Sequence, residues 1–431
     1  MRVLLVSPKW AGHGHRKKIK VREDDVHPLT LGILAALSAG HQVRIVDEHV
    51  EPVPFDEPWD LVGITATTYR APRAYAIADR FRARRVPVVL GGIHPTLLPE
   101  EGLGHADAVV RGEAESVWAE VLAAAARRQL GGVYQGGCVT DLARVPVPRR
   151  DLYRRPAHRA AWVQATRGCG LGCKFCYLQY TSWGAFRQRP VARVIEEIRQ
   201  LRGRVVLFVD DNLFVDRDYA LGLFRELAPL GKFWWAQAPT TACLDEELLD
   251  AAYRSGCFAL SVGLQTVNQA SMEQAQVMQN RIERYDEVVR NLHRHHILVD
   301  ATFIFGFDAD PPSIFRDTVE ATRELALDST TFYTLTPYPG TPYFAELEAE
   351  GRIVDRNWGH YDWDHAVIRP ARMSPGELEA GIAWAYRTID ATALGWMARN
   401  AVRNLWVVGR SPELAWFLLR QNYPERYLLD Y

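Results

Sequence analysis

Short apolar runs alternate with segments of helical period along most of the chain. In the first third the runs fall at residues 3–7, 42–46, 61–65, 87–90 and 108–110. Between them, apolar positions recur at the spacing of one helix face over residues 29–38, 72–84 and again after Glu113. Runs apolar at consecutive positions predict strands buried on both faces. Joined through helices, such strands form a parallel sheet covered on both sides. Ligands of such sheets bind beyond the carboxyl ends of the strands.

A second alternating series predicts strands at 162–166, 205–209, 233–237, 259–264, 301–305 and 332–336. The first of its helices carries Val191, Val194, Ile195, Ile198 and Leu201 at helical spacing, and others are predicted at 219–227, 246–253, 285–293 and 314–325. Six βα units predict a (β/α)6 partial TIM barrel with its active site at the strand carboxyl ends. Residues 139–160 are rich in Pro and Arg, carry no period and read as a linker. After Pro342 the pattern is mostly helical, with Trp358, Trp363, Trp384 and Trp396. The expected organisation is an α/β protein with a Rossmann-like domain at 1–138, a linker at 139–160, the partial barrel at 161–345 and a mostly helical segment at 346–431.

The length of 431 residues agrees with more than one domain. No apolar run approaches the roughly 18 residues of a membrane span, and the first run is too short and too soon interrupted for a signal peptide. A formal net charge of −1 favours neither nucleic acid nor an anionic membrane as partner. Six cysteines do not suggest a disulfide framework. Three of them, Cys169, Cys173 and Cys176, fall within eight residues, which predicts a metal site in a reducing compartment, the cytoplasm. Cys138, Cys243 and Cys257 lie far apart and read as packing residues.

The segment ATRGCGLGCKFCYL follows the first strand of the second series and spaces its cysteines C-x3-C-x2-C. Gly168, Gly170 and Gly172 let the backbone wrap closely around a cluster. Thiolates suit Fe–S clusters or zinc. A [4Fe–4S] cube takes four ligands, so three cysteines leave one iron open to chelate a substrate. Zinc, with His158 or another residue as fourth ligand, is the alternative.

This motif, with the aromatic Phe175 before its last cysteine, resembles that of the radical S-adenosylmethionine (SAM) superfamily. The resemblance implies a [4Fe–4S] cluster on Cys169, Cys173 and Cys176 that cleaves SAM to a 5′-deoxyadenosyl radical, with Phe175 near the adenine. It further implies SAM contacts at later strand ends: Asp210, Asp211 and Asn212 in LFVDDNLF, Gln237, Gly263 and Gln265 in VGLQT, Gly306 and Asp308 in FIFGFD, and Pro337 in TPYPGTP. Each of these segments also reads as an ordinary turn or cap.

The first domain, through HPLTLGILAAL, GITATTYR, VVLGGIHPTLLPEE and VVRGEAE, is similar to the cobalamin-binding domain that precedes the radical SAM domain in one large subfamily. By that resemblance Thr65, Thr67 and Thr68 hydrogen-bond the nucleotide tail and Gly91 and Gly92 allow its approach. Gly112 and Glu113 close the far wall, and His94 contacts the tail. The D-x-H-x-x-G loop of classical carriers is missing after the first strand. Asp47-Glu48-His49 follows the second strand instead, with Pro52 in place of the glycine, and reads as coincidence. Tyr69 and Arg70 are the candidates for the lower face of cobalt. The basic stretch from His13 to Arg22 reads as a solvated loop, or as a contact to cobalamin or an anionic substrate.

The implied activity is methylation of an unactivated carbon of a small-molecule or lipid substrate through methylcobalamin and the 5′-deoxyadenosyl radical. Flavodoxin or ferredoxin would be the reducing partner. The alternatives are a cobalamin-dependent ring contraction, cyclisation or rearrangement, or a radical SAM enzyme whose first domain, without cobalamin, docks a partner or lipid; a non-enzymatic Fe–S or cobalamin sensor would leave the SAM-site segments without a purpose. In the last segment Trp358, Tyr361, Trp363 and His365 read as packing or as a substrate wall.

Overall fold

The computed structural model describes residues 1–10, 28–153, 160–181, 185–391, 407, 409–412, 414 and 415. The basic stretch His13–Arg22, His158 and Trp396 lie outside the described residues.

The first sheet is formed by β1 (Arg2–Ser7), β2 (Gln42–Asp47), β3 (Leu61–Thr65), β4 (Val88–Gly91), β5 (Ala108–Gly112) and β6 (Gly132–Gly137). All pair in parallel, in the order β2-β1-β3-β4-β5-β6. Successive residues of one strand feed opposite cores. Val3, Leu5 and Val89 pack with Leu31 and Leu34 of the helix Leu29–Leu37 and with Trp118 and Val121 of the helix Trp118–Ala126. Leu4, Val6, Ile64 and Leu90 pack with Ile77 and Phe81 of the helix Ala71–Ala83. This two-sided burial is why these strands read as unbroken apolar runs. The sixth strand, GVYQGG, was not expected. It has no apolar pattern and joins through its backbone, from Ala108↔Gly132 to Gly112↔Gly137. The strand order reverses at β1, which has β2 on one side and β3 on the other, and so opens a crevice there.

Within the expected linker, the described residues 139–153 are packed rather than free. Leu142 and Val145 are buried with Ile33, Arg149 N–H donates to Gly32 O at 3.0 Å, and the Tyr153 hydroxyl donates to Pro28 O. Arg150 then crosses to the second sheet, donating to Trp162 O at 2.7 Å and pairing with Glu197 at 2.5 Å. The segment is a strap without a period of its own because its contacts lie on other elements.

The second sheet contains β7 (Ala160–Val163), β10 (Val205–Phe208), β11 (Phe233–Ala238), β12 (Cys257–Gln265), β13 (Leu298–Phe305) and β14 (Ser329–Thr334). Each strand lies beside its sequence neighbour in the series, with β7 and β14 at the edges. This is the order of a βα barrel left open. One face carries Phe208, Trp234, Leu260 and Phe303 against the helices; the other carries Leu207, Phe233 and Phe258 against Val407 and Leu414 of the C-terminal segment. The expected strand at 162–166 is broken. Its last part forms β8 (Thr166–Arg167), which pairs antiparallel with β9 (Arg187–Gln188). That two-residue ladder closes the neck of the loop bearing the three motif cysteines.

The carboxyl-end loops of the two sheets meet. The turn Thr68–Arg70 after β3 touches the turn Trp358–His360, and the helix Ile93–Leu97 touches the helix Leu178–Thr181. A Cβ on Gly340, which has φ +77°, would stand 2.7 Å from Leu97 O, so only glycine allows this approach.

Candidate active site

Gly168 opens the cysteine loop with φ +85°, where an added Cβ would lie 2.3 Å from Ala185 O. Gly170 and Gly172 also have positive φ, with open space beside them. The loop is pinned by Lys174 N–H to Ala275 O at 3.1 Å and by Cys176 N–H to Cys173 O at 3.0 Å. Cys169, Cys173 and Cys176 are half-buried and free. Burial pushes all three thiols up, Cys176 to about 12, so ligation rather than solvent would have to stabilise the thiolates. Two amides aim at the sulfurs: Asn212 Nδ2 donates to Cys169 Sγ at 3.7 Å, and Gln279 Nε2 donates to Cys173 Sγ at 3.8 Å. Among the described residues no three His, Cys, Asp or Glu side chains converge as one zinc ion would require. Three half-buried thiols on one loop, two of them facing side-chain N–H donors, fit a cluster that gives each cysteine its own iron.

The Asp-Asp-Asn triplet divides its tasks. Asp210, expected to contact SAM, is 0% exposed. Its carboxylate accepts from Ala165 N–H at 3.1 Å, from Thr166 N–H, and from Thr166 Oγ1 at 2.6 Å. It is a strut under the neck of the cysteine loop, and burial pushes it up to about 7 although those donors favour its charged form. Asp211 accepts from Gly168 N–H at 3.1 Å, and burial raises its carboxyl too. Asn212 faces the thiol of Cys169.

Phe175 packs with Phe307, ring centroids 6.0 Å apart. Gln237 is exposed on β11, level with Ser261 of β12. The register with β13 breaks between Gly263 and Gln265. There Gln265, at φ +69°, folds the end of its amide over Gly263, where a Cβ would meet it. Gly306 does not face this space. It packs against Leu378, and its N–H donates to Asp310 at 2.9 Å. Asp308 is tied to Arg352 and Gln274. Pro337 is buried beside Tyr338.

Around the first sheet's crevice, Arg70 donates to Ser7 Oγ at 3.3 Å and so spans β1 and β3. The hydroxyls of Thr67 and Thr68 are enclosed and have no hydrogen-bond partner among the described residues. Orphaned hydroxyls of this kind fit a ligand that carries donors and acceptors, as a nucleotide tail does. Thr65 ends β3 and Gly91 ends β4. A Cβ on Gly92, at φ +100°, would lie 2.7 Å from Ala66 O. His94 is not at the crevice. It is 0% exposed, 3.3 Å from Glu101, with its ring against Trp358. Both ring nitrogens of His49 are engaged, Nδ1 with Asp47 and Nε2 with Trp10 N–H. Gly112 donates to Thr96 Oγ1 at 3.0 Å. The Glu113 carboxylate, expected at the far wall, is taken up by Arg187, Arg167 and Val139 N–H.

A run of rings joins the two halves. Tyr177, next to Cys176, lies 4.4 Å from Tyr338; Tyr338 lies 6.4 Å from Trp363, and Trp363 lies 5.4 Å from Tyr69. Trp358 donates to Glu101 at 2.9 Å from the other side. Of the two roles open to Trp358 and Trp363, both serve as contacts between the halves. Tyr361 is buried beneath them, and His365 bonds Asp362. Gln279, Glu101 and the pair Arg167 and Arg187 were missed in the sequence. Nothing local marks Gln279 in QAQVMQN, and charged residues beside a glycine loop read as solvated.

The chain matches the radical SAM superfamily over residues 163–322 and the B12 binding domain over residues 18–122. It is 32% identical to the bacteriochlorophyllide d C-12(1)-methyltransferase of Chlorobaculum tepidum over 81% of this chain and 80% of that protein. It is 28% identical to the bacteriochlorophyllide d C-8(2)-methyltransferase of the same organism, over 80% and 82%. Among solved structures it resembles the radical SAM methyltransferase TsrM of Kitasatospora setae with cobalamin and [4Fe–4S] cluster bound. The TM-score is 0.65 at 21% identity, covering 88% of this chain and 84% of that one.

Proposed function

The chain belongs to the radical SAM superfamily, in the branch that carries a B12 binding domain, and from that premise we propose that it methylates an unactivated carbon of a small-molecule or lipid-like substrate. When bound, the cluster and SAM supply a carbon-centred radical that removes hydrogen, and cobalamin supplies the methyl group. The observation that carries the proposal is the ring run from Tyr177 to Tyr69, which sets the cysteine loop against the turn after β3. Reacting groups held in one enclosed space need no diffusive encounter.

In this reading Cys169, Cys173 and Cys176 hold the cluster, with Asn212 and Gln279 donating to sulfur. Phe175, Asp211, Gln237, Gly263, Gln265 and Pro337 frame SAM. Thr65, Thr67, Thr68, Gly91, Gly92 and Gly112 cradle the nucleotide tail. Tyr69 and Arg70 would stand on the cobalt side of the cradle and keep water from the metal, and among the described residues His49 and His94 are engaged elsewhere. The boundaries at 138 and 160 lie beside the end of β6 and the start of β7, while that at 345 falls inside the helix Pro342–Ala349. A flavodoxin or ferredoxin would supply electrons, in the cytoplasm where neighbouring thiols stay reduced. Among the described residues no helix is long and apolar enough to cross a membrane.

The two Chlorobaculum tepidum relatives are bacteriochlorophyllide d methyltransferases, so bacteriochlorophyllide d is the first substrate to test. Anaerobically reconstituted protein with SAM and reductant should yield a product one methyl heavier, together with S-adenosylhomocysteine and 5′-deoxyadenosine. An isomerised product without S-adenosylhomocysteine would establish rearrangement instead.

A further inference from the structure

β8 and β9 pair Thr166↔Gln188 and Arg167↔Arg187. The second pair places two guanidinium side chains directly opposite each other at the neck of the cysteine loop. Like charges across a ladder repel, and here they stand in a nearly dry place, with side chains 12% and 7% exposed. What neutralises them comes from the other half of the molecule. Glu113 Oε2 lies 2.8 Å from Arg187 Nη1 and 3.3 Å from Arg167 Nη1. Glu115 pairs with Arg167 at 2.5 Å.

Glu113 is itself rigidly placed. Its N–H donates to Gly137 O at 3.1 Å, and its carboxylate accepts Val139 N–H at 2.6 Å. A Cβ on Gly136 would lie 2.4 Å from Glu113 O, so β6 closes tightly on this turn. The preceding residue, Gly112, has φ +94° and ends β5 at the rim of the first sheet. One carboxylate therefore holds both strands at the neck of the cysteine loop and belongs to the turn that borders the proposed cobalamin cradle.

We propose that Glu113 is a positioning residue that couples cobalamin binding to the order of the cluster loop. The inference rests on the functional reading above, in which these loops hold cobalamin and the cluster. Linkage makes the coupling reciprocal: a ligand that steadies the Gly112–Glu113 turn also steadies the neck. Glu113→Gln keeps the shape and removes the charge; Arg167 keeps Glu115, but Arg187 loses its carboxylate partner while buried opposite Arg167.

The test uses reconstituted full-length protein and follows iron release to a chelator, with and without saturating hydroxocobalamin. In the wild type cobalamin should slow release by about fivefold or more, the lower end of usual coupling between sites. In Glu113→Gln, release should be faster and the cobalamin effect should vanish. Glu113→Gln/Arg187→Gln, which also removes one of the opposed charges, should regain slow release but not the cobalamin effect. A structural loss alone would change the rate without changing the cobalamin ratio. Should Glu113→Gln fail to fold, Arg187→Gln carries the test, with the ratio expected to fall towards one. A variant that keeps the wild-type ratio overturns the coupling and leaves the functional reading intact. A wild type that takes up neither cluster nor cobalamin overturns both.

Discussion

Replacing Asp210 with Asn separates a strut from a SAM contact. Its carboxylate receives Ala165 N–H, Thr166 N–H and Thr166 Oγ1–H in a place closed to water. Asparagine has nearly the same shape but one oxygen, and its NH2 group stands where the second oxygen accepted. All three donors reach Oδ1, which the amide keeps, so the loss falls on the NH2 group, which meets Ala165 N–H where an acceptor stood, at about 1–3 kcal/mol for an unsatisfied buried group. Above about pH 7, where the Asp210 carboxyl is charged, the remaining bonds also lose their charge assistance, which roughly halves each. Together these come to about 3 kcal/mol, all at the residues that begin β8. Urea unfolding of the apo protein should show the lower stability. Equilibrium dialysis on the folded fraction should show unchanged SAM affinity. The reasoning fails if the variant has wild-type stability but loses SAM affinity by about tenfold, or about 1.4 kcal/mol.

Asn212→Leu or Gln279→Leu should each lower the cluster's reduction potential by about 20–60 mV, the one-electron equivalent of a lost hydrogen bond to sulfur; an EPR-monitored redox titration reads this, and an unmoved potential would detach that amide from the cluster. Gly92→Ala forces a Cβ against Ala66 O at φ +100° and should cost about 1–3 kcal/mol, with loss of cobalamin uptake; an unaltered melting temperature would contradict it. Burial alone would raise the Glu101 carboxyl, but His94, Tyr75 and Trp358 hold it below the usual glutamate range. Its contribution is therefore present above that range and lost as pH falls through the lowered value, so wild-type stability should drop below about pH 4 by more than that of Glu101→Gln, and parallel acid-unfolding curves would refute this.

The two parallel sheets, the cysteine loop and the glycine and threonine loops of the first half were legible because each is local. A doubly covered strand must be apolar at consecutive positions, and three thiols on one loop need only a spacing and glycines with positive φ. The strap at 139–153 and the strand β6 were not legible, because one is held by contacts on distant elements and the other by backbone pairing with only Tyr134 packed on the core. Asp210, Asp211 and Asn212 read as one motif, yet only the packing of β7 and β10 decides which carboxylate turns under the loop and which amide turns to sulfur. His94 read as a candidate contact to the nucleotide tail, but Trp358, far along the chain, covers it. Glu113 read as a wall, but the partners that claim its charge stand 54 and 74 residues further on, at Arg167 and Arg187. The sequence by itself determined which chemistry the chain can carry, since ligand type and spacing are local properties. Which side chains touch that chemistry and which hold it in place was decided only by the tertiary structure, because direction and burial depend on neighbours that meet only after folding.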